Sequence, residues 1–205
     1  MEGALNLKNM KRIIAIAAIG LVLVILMGYG CSKRNSFITL NEGVKSQWHQ
    51  VENQYQRRID LIPNIVKTVE AEANFEKSTL TAVIEARAKA TQVTIDADNL
   101  TPEAIEKYKE AQGGLSSALG RLMMVTENYP DLKSNQAFGD LRVELEGCEN
   151  RIAHERDNYN RAAQALNTEI KLIPGSLFAW GFKDAIYFES DKGAEKAPKV
   201  DFNIK

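Results

Sequence analysis

Two polar side chains, His49 and Glu52, have the spacing that a metal site on a helix could use. They are three residues apart, so they would share one helix face. Metal-binding helical bundles use Glu-x-x-His pairs together with further inward-facing carboxylates. Neither His49 nor His154 has an acidic residue three positions before it. We therefore predict a surface histidine and expect neither a metal ion nor another cofactor.

A second chemical signal is a pair of opposite charges, Arg58 and Glu155, on two predicted helices. Arg58 lies beside the apolar seam of the first long helix, and Glu155 lies on the seam of the last one. A charge removed from water is tolerated when an opposite charge compensates it. The pattern predicts a structural ion pair between Arg58 and Glu155 that fixes the register of the two helices.

The motifs of common enzymes are incomplete in this chain. Residues 114–121, GLSSALGR, resemble a phosphate-binding loop, but five residues separate the two glycines and no Lys-Ser/Thr follows. There is no Gly-x-Ser-x-Gly elbow, and Cys31 and Cys148 lack the spacing of zinc ligands. Cys148 fits an apolar helical seam as a small core residue. We predict a protein that is not an enzyme.

The charge balance argues against a nucleic-acid partner. The 205 residues include 26 Lys or Arg and 27 Asp or Glu, which gives a net charge of −1. Binding to duplex DNA needs a concentrated cationic face. We expect the chain to contact a lipid bilayer through its N-terminal helix and to bind other proteins, and we expect no binding to nucleic acid. Homo-oligomerisation is an open alternative.

An uncharged stretch covers residues 13–32. Its 20 residues match the length that a helix needs to cross a bilayer core. The sequence predicts a short N-terminal segment, 1–12, followed by a single-pass transmembrane anchor, 13–32. Two alternatives involve cleavage as a signal peptide: a lipoprotein attached through Cys31, or a secreted product. The uncleaved anchor is favoured because Gly28 stands where lipoprotein signals usually have leucine.

Basic residues on either side of this stretch predict its orientation. Lys8, Lys11 and Arg12 precede it, whereas Lys33 and Arg34 follow it. The cytoplasmic flank of a membrane helix carries the excess of Lys and Arg. The sequence favours a domain outside the cytoplasm, and a cytoplasmic domain is the alternative.

The first helix of the predicted domain is marked by an apolar seam that crosses Pro63. Apolar residues recur at alternating steps of three and four over residues 44–69, as in a coiled coil. A proline inside a helix removes one hydrogen bond and bends the axis. Because the seam keeps its phase, we predict one kinked helix that ends near Asn74. It either starts at a capping box formed by Thr39 and Glu42 or runs unbroken from the membrane.

Three further helices follow in the sequence. A short one covers about residues 80–91. The next covers about residues 102–126, with Thr101 as its N-cap and a proline at its first position. A last long helix covers about residues 138–170 and stops at a Pro-Gly pair.

These helices predict an all-α fold. We expect an antiparallel four-helix bundle over residues 35–175, with a long kinked first helix, preceded by one transmembrane helix. Gly113 and Gly114 interrupt the third helix and are expected where a neighbouring helix approaches closely. The tail, residues 176–205, is expected to pack its aromatic part on the bundle and to end in a partly disordered segment.

The connection between the third and fourth bundle helices is the segment best placed to contact a partner. Pro130 would stop one helix, and Asp131 would start the next. Exposed polar turns often carry function. The residues of this hypothetical partner contact are Glu127, Asn128, Tyr129, Pro130 and Asp131.

Several blocks of the chain resemble, in order and spacing, the LemA family of bacterial membrane-anchored proteins. They are DLIPNIVKTVEAEANFEKSTL, LSSALGRLMMVTENYPDLKSNQAF, LEGCENRIAHERDNYNRAA, and YFES followed by PKVDF. The resemblance covers the chain from about residue 35 to its end. It implies one transmembrane helix followed by a helical bundle and no known enzymatic activity. Members are generally uncharacterised, and a relative takes part in building magnetosome membranes.

We therefore expect a non-enzymatic scaffold or adaptor of the bacterial cell envelope, anchored in the membrane. One alternative is a membrane-remodelling or self-assembling structural protein. Another is a ligand- or metal-binding bundle, or an enzyme, that works at the bend around Pro63.

Overall fold

The computed structural model of the protein describes residues 2–72 and 75–188, with the side chains of residues 9–72 and 75–188. Every regular element in these ranges is helical, which confirms the predicted all-α class. The elements, in chain order, are α1 (Glu2–Glu70), α2 (Lys77–Gln92), α3 (Pro102–Thr126), α4 (Pro130–Ser134), α5 (Gln136–Lys171) and one turn of 3₁₀ helix (Gly175–Phe178).

The chain forms two compact units. Among the described residues, the anchor unit consists of residues 2–47 and 161–185, and the core unit consists of residues 48–72, 75–160 and 186–188. Helices α1 and α5 each contribute residues to both units. The boundaries expected for the bundle, residues 35 and 175, both fall inside the anchor unit.

A single helix, α1, carries both the uncharged stretch and the apolar seam. It is continuous through Pro63, which confirms the prediction of one helix across the proline. The capping box at Thr39 is wrong, because its Oγ1 donates a hydrogen bond to the carbonyl of Asn35 at 3.0 Å. A bond to the carbonyl four residues earlier is what a threonine makes in the middle of a helix. The alternative, a helix that runs unbroken from the uncharged stretch, is the one observed.

The seam of α1 is buried in the core unit. The helix ends at Glu70, and the predicted end near Asn74 lies outside the described residues. Burial of this stripe removes apolar surface from water, which is the main stabilising contribution in such a core. The buried residues of α1 in this unit are Trp48, Val51, Tyr55, Arg58, Ile59, Leu61, Ile62, Ile65, Val66 and Val69.

The start and the buried face of α3 agree with the sequence prediction. The amide of Ala104 donates to Thr101 Oγ1 at 3.2 Å, so Thr101 is the N-cap. Pro102 occupies the first turn, where its missing amide hydrogen costs nothing. The buried residues are the seven that the spacing predicts: Ile105, Tyr108, Gln112, Leu115, Leu119, Leu122 and Thr126.

The close helix approach predicted at Gly113 and Gly114 is wrong. Both glycines are exposed, and nothing lies within 4 Å of a Cβ added to either one. They stand between the buried positions Gln112 and Leu115, so the helical period turns them away from the core.

The connection from α3 to α5 contains the short helix α4. Pro130 begins α4 rather than the long helix, and the long helix α5 begins at Gln136. Asn135 caps α5, because its Oδ1 accepts a hydrogen bond from the amide of Phe138 at 3.2 Å. Leu132 of α4 is buried and joins the apolar core.

One apolar cluster fills the core unit. It includes Cys148, which is fully buried as predicted for a small core residue. Besides residues of α1 and α4, the cluster contains Phe75, which precedes α2, and buried residues of α2, α3 and α5. Those on the three helices are Leu80, Val83, Ala90, Leu115, Leu119, Leu122, Phe138, Leu145 and Cys148.

The segment Ile186–Phe188 packs in the core unit. The Phe188 ring is buried and stacks on Trp48, with 5.7 Å between the ring centroids. Asn160 holds the backbone of Phe188 through two hydrogen bonds, accepting from its amide at 2.7 Å and donating to its carbonyl at 2.9 Å. The end expected to be disordered, residues 189–205, lies outside the described residues.

Candidate functional site

Arg58 is the one charged residue among the buried positions that the structure describes. Only 1% of its surface is exposed. It lies on α1, and its guanidinium carbon is 5.1 Å from the centre of the Tyr55 ring. A cation near an aromatic face is stabilised by the ring electrons, most strongly away from water.

Two neighbouring helices supply the polar partners of Arg58. Its Nη1 donates to Ser116 Oγ at 2.6 Å and to Glu149 Oε1 at 2.7 Å. Its Nη2 donates to Gln112, reaching the carbonyl oxygen at 3.1 Å and Oε1 at 2.5 Å. The guanidinium therefore ties α1 to α3 and to α5. We call these four residues, Arg58, Gln112, Ser116 and Glu149, the Arg58 cluster.

The acidic partner of Arg58 is Glu149, and the predicted pair with Glu155 is wrong. Glu155 is half-buried and accepts a hydrogen bond from Asn158 at 3.0 Å. The periodicity of the seam shows which face of a helix a residue lies on. It does not show which residue of the partner helix lies opposite it. Six residues separate the two glutamates, which is about 9 Å at 1.5 Å per residue.

The register between α1 and α5 explains this choice. The rings of Trp48 and Tyr159 contact each other with centroids 5.7 Å apart. In antiparallel helices, steps forward on one helix match steps back on the other. Arg58 lies ten residues after Trp48, and Glu149 lies ten residues before Tyr159. The aromatic contact therefore sets Arg58 and Glu149 at one level.

Two buried tyrosines, Tyr108 and Tyr159, belong to a group of aromatic rings next to the Arg58 cluster. Tyr108 contacts both Trp48 and Tyr55, with ring centroids 5.5 and 5.3 Å apart. The Tyr159 hydroxyl donates to the carbonyl of Ile186 at 2.8 Å. Burial raises the pKa of Tyr159 to about 12 and also raises the pKa of Tyr108 above its ordinary value. Both phenols are therefore neutral at physiological pH.

The chemistry of the Arg58 cluster is that of a structural crosslink. A nucleophilic serine needs a base that accepts its proton. The Ser116 hydroxyl oxygen instead accepts a hydrogen bond from Arg58, whose guanidinium has donors and no acceptor. The side chain of Glu149 is 42% exposed, so water shares in solvating the charge pair. This arrangement joins three helices at one point.

The histidine considered as a metal ligand lies on the surface. The His49 side chain is 60% exposed, and its Nδ1 is 2.9 Å from Glu52 Oε2. Among the described residues, no group of three or more His, Cys, Asp or Glu side chains is arranged to hold a metal ion. His49 and Glu52 therefore form a surface pair on α1.

A groove of about 690 Å³ runs between α2 and α3. Small residues such as Ala86 and Gly114 line it, together with charged residues such as Lys89 and Arg121. No member of the Arg58 cluster is among its lining residues. This groove and the buried charge therefore lie at different places in the core unit. A smaller cavity, of about 150 Å³, is lined by Gln112 of the Arg58 cluster together with Tyr108.

The predicted partner contact, residues 127–131, covers the connection between α3 and α4 and the first two residues of α4. The Tyr129 ring is held by Phe75, with centroids 4.9 Å apart. Glu127 accepts a hydrogen bond from Lys133 at 2.6 Å, and this bond lowers the pKa of Glu127. The remaining members, Asn128, Pro130 and Asp131, are exposed. The connection is thus a fixed polar surface.

The anchor unit contains the uncharged part of α1. Between Arg12 and Gly28 the side chains are exposed, including the large apolar ones. By length and composition this helix can cross a membrane, and it is the one helix in the described part of the chain that can.

Sequence reasoning missed where the aromatic segment after α5 docks. Phe178 packs against Gly30 of α1, and Lys33 forms an ion pair with Glu169 of α5 at 2.5 Å. The Pro-Gly stop and the aromatic run LFAWGF were visible in the sequence, but neither identifies its contact on α1. Gly30 was a weak signal, because a glycine at the end of an apolar helix also fits a cleavage site.

The amino-acid sequence is similar to a family model and to several known bacterial proteins. A sequence model of the LemA family matches residues 47–202. Magnetosome protein MamQ 2 of Paramagnetospirillum magneticum is 30% identical, over 90% of this chain and 73% of its own length. Magnetosome protein MamQ of Magnetospirillum gryphiswaldense is 28% identical, over 93% of this chain and 75% of its own. Protein LemA of Metamycoplasma hominis is 24% identical, over 76% and 65% of the two chains.

Proposed function

The chain belongs to the LemA family, and on that premise we propose that it is a membrane-anchored, non-enzymatic scaffold or adaptor of the bacterial cell envelope. The observation that carries the proposal is the continuity of α1. One helix contains both a stretch long enough to cross a bilayer and the buried seam of a folded core. The helix proposed to cross the membrane is thus also part of the core unit, which we expect to bind the partners.

We propose that α1, α2, α3 and α5 form an antiparallel four-helix bundle. Support comes from the pairing of Trp48 with Tyr159 and of Arg58 with Glu149, which requires α1 and α5 to run in opposite directions. On α1 and α3, Tyr55 contacts Tyr108 and Arg58 contacts Ser116, so these two helices run the same way. Up-down-up-down topology gives this combination of directions.

The uncleaved, single-pass anchor is supported by the packing at its end. Phe178 contacts Tyr29 and Gly30, and both contacts would be lost from a lipoprotein cut before Cys31. Two basic residues follow the stretch and three precede it, which favours a core unit outside the cytoplasm. Relatives named as magnetosome proteins are consistent with a role at a bacterial membrane.

The exposed connection at residues 127–131 is the proposed partner contact. A photo-crosslinking amino acid at Asn128, in the full chain in native membranes, is expected to give a reproducible crosslink to another envelope protein. The matched control carries the same group at Glu103, an exposed residue in the first turn of α3. Equal and unspecific crosslinking from both positions would remove the support for this contact.

Self-assembly is the second candidate function, since the magnetosome relatives also fit a structural protein of a membrane compartment. The same experiment separates the two. A crosslinked product of twice the chain's mass that contains only this protein favours self-assembly, and a heteromeric product favours the adaptor.

A further inference from the structure

Large apolar side chains are exposed in the loop that follows α5. They belong to the anchor unit, and the exposed fractions are 55% for Leu172, 86% for Ile173, 75% for Leu177 and 76% for Trp180. Four such side chains within nine residues expose apolar surface in one short segment rather than singly along the chain. A surface of this kind marks an interaction site. We call residues 172–180 the interfacial loop.

Contacts with α1 fix the level of this loop. The Phe178 ring meets the Tyr29 ring edge-on, with centroids 5.9 Å apart. It lies so close to Gly30 that a Cβ added there would be 2.6 Å from Phe178 Cε1. Both α1 residues belong to the uncharged stretch 13–32. Phe178 therefore sits beside the end of the membrane-spanning segment itself.

Basic residues of α1 hold the other side of the loop. The guanidinium carbon of Arg34 is 4.9 Å from the centre of the Trp180 ring, and its Nη1 donates to the Trp180 carbonyl at 3.5 Å. The ring of Phe182 contacts Phe37 with centroids 5.4 Å apart. Lys33 is paired with Glu169, at the end of α5. Aromatic and basic side chains together are what membrane helices carry at the boundary between lipid and water.

We propose that the interfacial loop is a second membrane contact, in which Leu172, Ile173, Leu177 and Trp180 insert into the boundary between lipid headgroups and acyl chains. The proposal rests on the membrane anchoring proposed above. The bilayer is the occupant because Phe178 packs on the last residues of the span, so a membrane crossed by α1 already surrounds this level. Exposed apolar side chains at this level meet lipid, and the indole of Trp180 suits the boundary.

Trp180 makes the proposal directly measurable, because the chain has two tryptophans and the other, Trp48, is fully buried. The full chain is reconstituted into vesicles of phosphatidylcholine and phosphatidylglycerol whose acyl chains carry bromine close to the headgroup. Bromine quenches an indole that it touches. The matched variant Trp180→Phe keeps Trp48 alone, so the difference between the two proteins is the emission of Trp180.

In the expected result, bromolipid removes most of the Trp180 emission and leaves that of Trp180→Phe nearly unchanged, while acrylamide in the water quenches Trp180 weakly. Lipids brominated near the acyl-chain ends should quench Trp180 less, because an interfacial side chain lies within about 5–10 Å of the headgroup boundary. The variant Ile173→Ser/Leu177→Ser should reduce the bromolipid quenching and increase the acrylamide quenching.

Three results would overturn the proposal, and they are distinguishable. If the chain floats with the vesicles but Trp180 is quenched by acrylamide and not by bromolipid, the loop faces water and the anchoring stands. If Trp180 is shielded from both quenchers and becomes exposed to acrylamide when the chain is diluted in lipid, the loop meets a second copy. A chain that does not float with the vesicles would refute the anchoring as well as the loop contact.

Discussion

At the scale of single residues, Glu149 compensates the buried positive charge of Arg58. We expect Glu149→Gln to lower the free energy of unfolding by about 1–3 kcal/mol, because it leaves a buried cation with neutral acceptors only. The matched change Glu155→Gln should stay within about 0.5 kcal/mol, since that side chain is half-buried and bonded to Asn158. Chemical unfolding of the full chain in mild detergent measures both. Equal losses would mean that Glu155 shares the charge of Arg58.

Trp48 is the largest fully buried side chain, and its ring contacts three others. We expect Trp48→Ala to cost roughly 3–5 kcal/mol of unfolding free energy, through lost burial and the cavity that remains. Trp48→Phe should cost less, because Trp48 Nε1 has no hydrogen-bond partner among the described residues. Replacing the exposed Trp180 by Ala is the control and should leave the unfolding free energy nearly unchanged. A loss below about 1 kcal/mol for Trp48→Ala would contradict the observed packing.

The buried tyrosines predict a loss of stability at alkaline pH. The pKa of Tyr159 is raised from 10.0 to about 12, so above pH 10 the unfolded chain releases a proton that the folded chain keeps. The contribution is fully present below pH 10 and is lost as the pH rises towards 12. We expect unfolding midpoints to fall over this window, and Tyr159→Phe to fall less steeply. An unchanged slope in Tyr159→Phe would show that Tyr159 does not supply the effect.

At the scale of elements, the contact between α1 and the interfacial loop depends on a missing side chain. Gly30→Val should displace Phe178, because even a Cβ would stand 2.6 Å from its ring. Gly28→Val is the matched control, since nothing lies within 4 Å of a Cβ at Gly28. We expect Gly30→Val to speed proteolysis between residues 172 and 182 in the reconstituted protein, and Gly28→Val to leave it unchanged. Identical cleavage in both variants would argue against the Phe178 contact.

The elements differ in how far the sequence predicts them. For α3, the cap at Thr101 and a seam in strict phase identify both the start and the buried face, since both signals are local. The pairing of Arg58 is not local, because it depends on the register between α1 and α5, which the Trp48–Tyr159 contact fixes. The start of α1 offered two local solutions, and the unbroken helix was the one formed. Docking of the loop on Gly30 depends on the fold as a whole and could not be predicted.

At the scale of the whole molecule, the proposed orientation predicts which side of the membrane each part reaches. In a Cys31→Ser background, Val143→Cys places a thiol at an exposed position of the core unit. A maleimide that cannot cross membranes should label it in intact spheroplasts. A cysteine placed at Asn6, before the uncharged stretch, should be labelled only after the membrane is opened. The reverse pattern would place the core unit in the cytoplasm.

The stacking of Phe188 on Trp48 can form only late in synthesis, because the two residues are far apart in the chain. Phe188 leaves the ribosome 140 residues after the ring that it covers. At about 5–20 residues per second, this delay is about 7–28 s. The uncharged stretch at residues 13–32 emerges earlier still, so a chain anchored as proposed reaches the membrane before Phe188 can cover Trp48. Nascent chains halted before Phe188 are therefore the ones that we expect chaperones to hold.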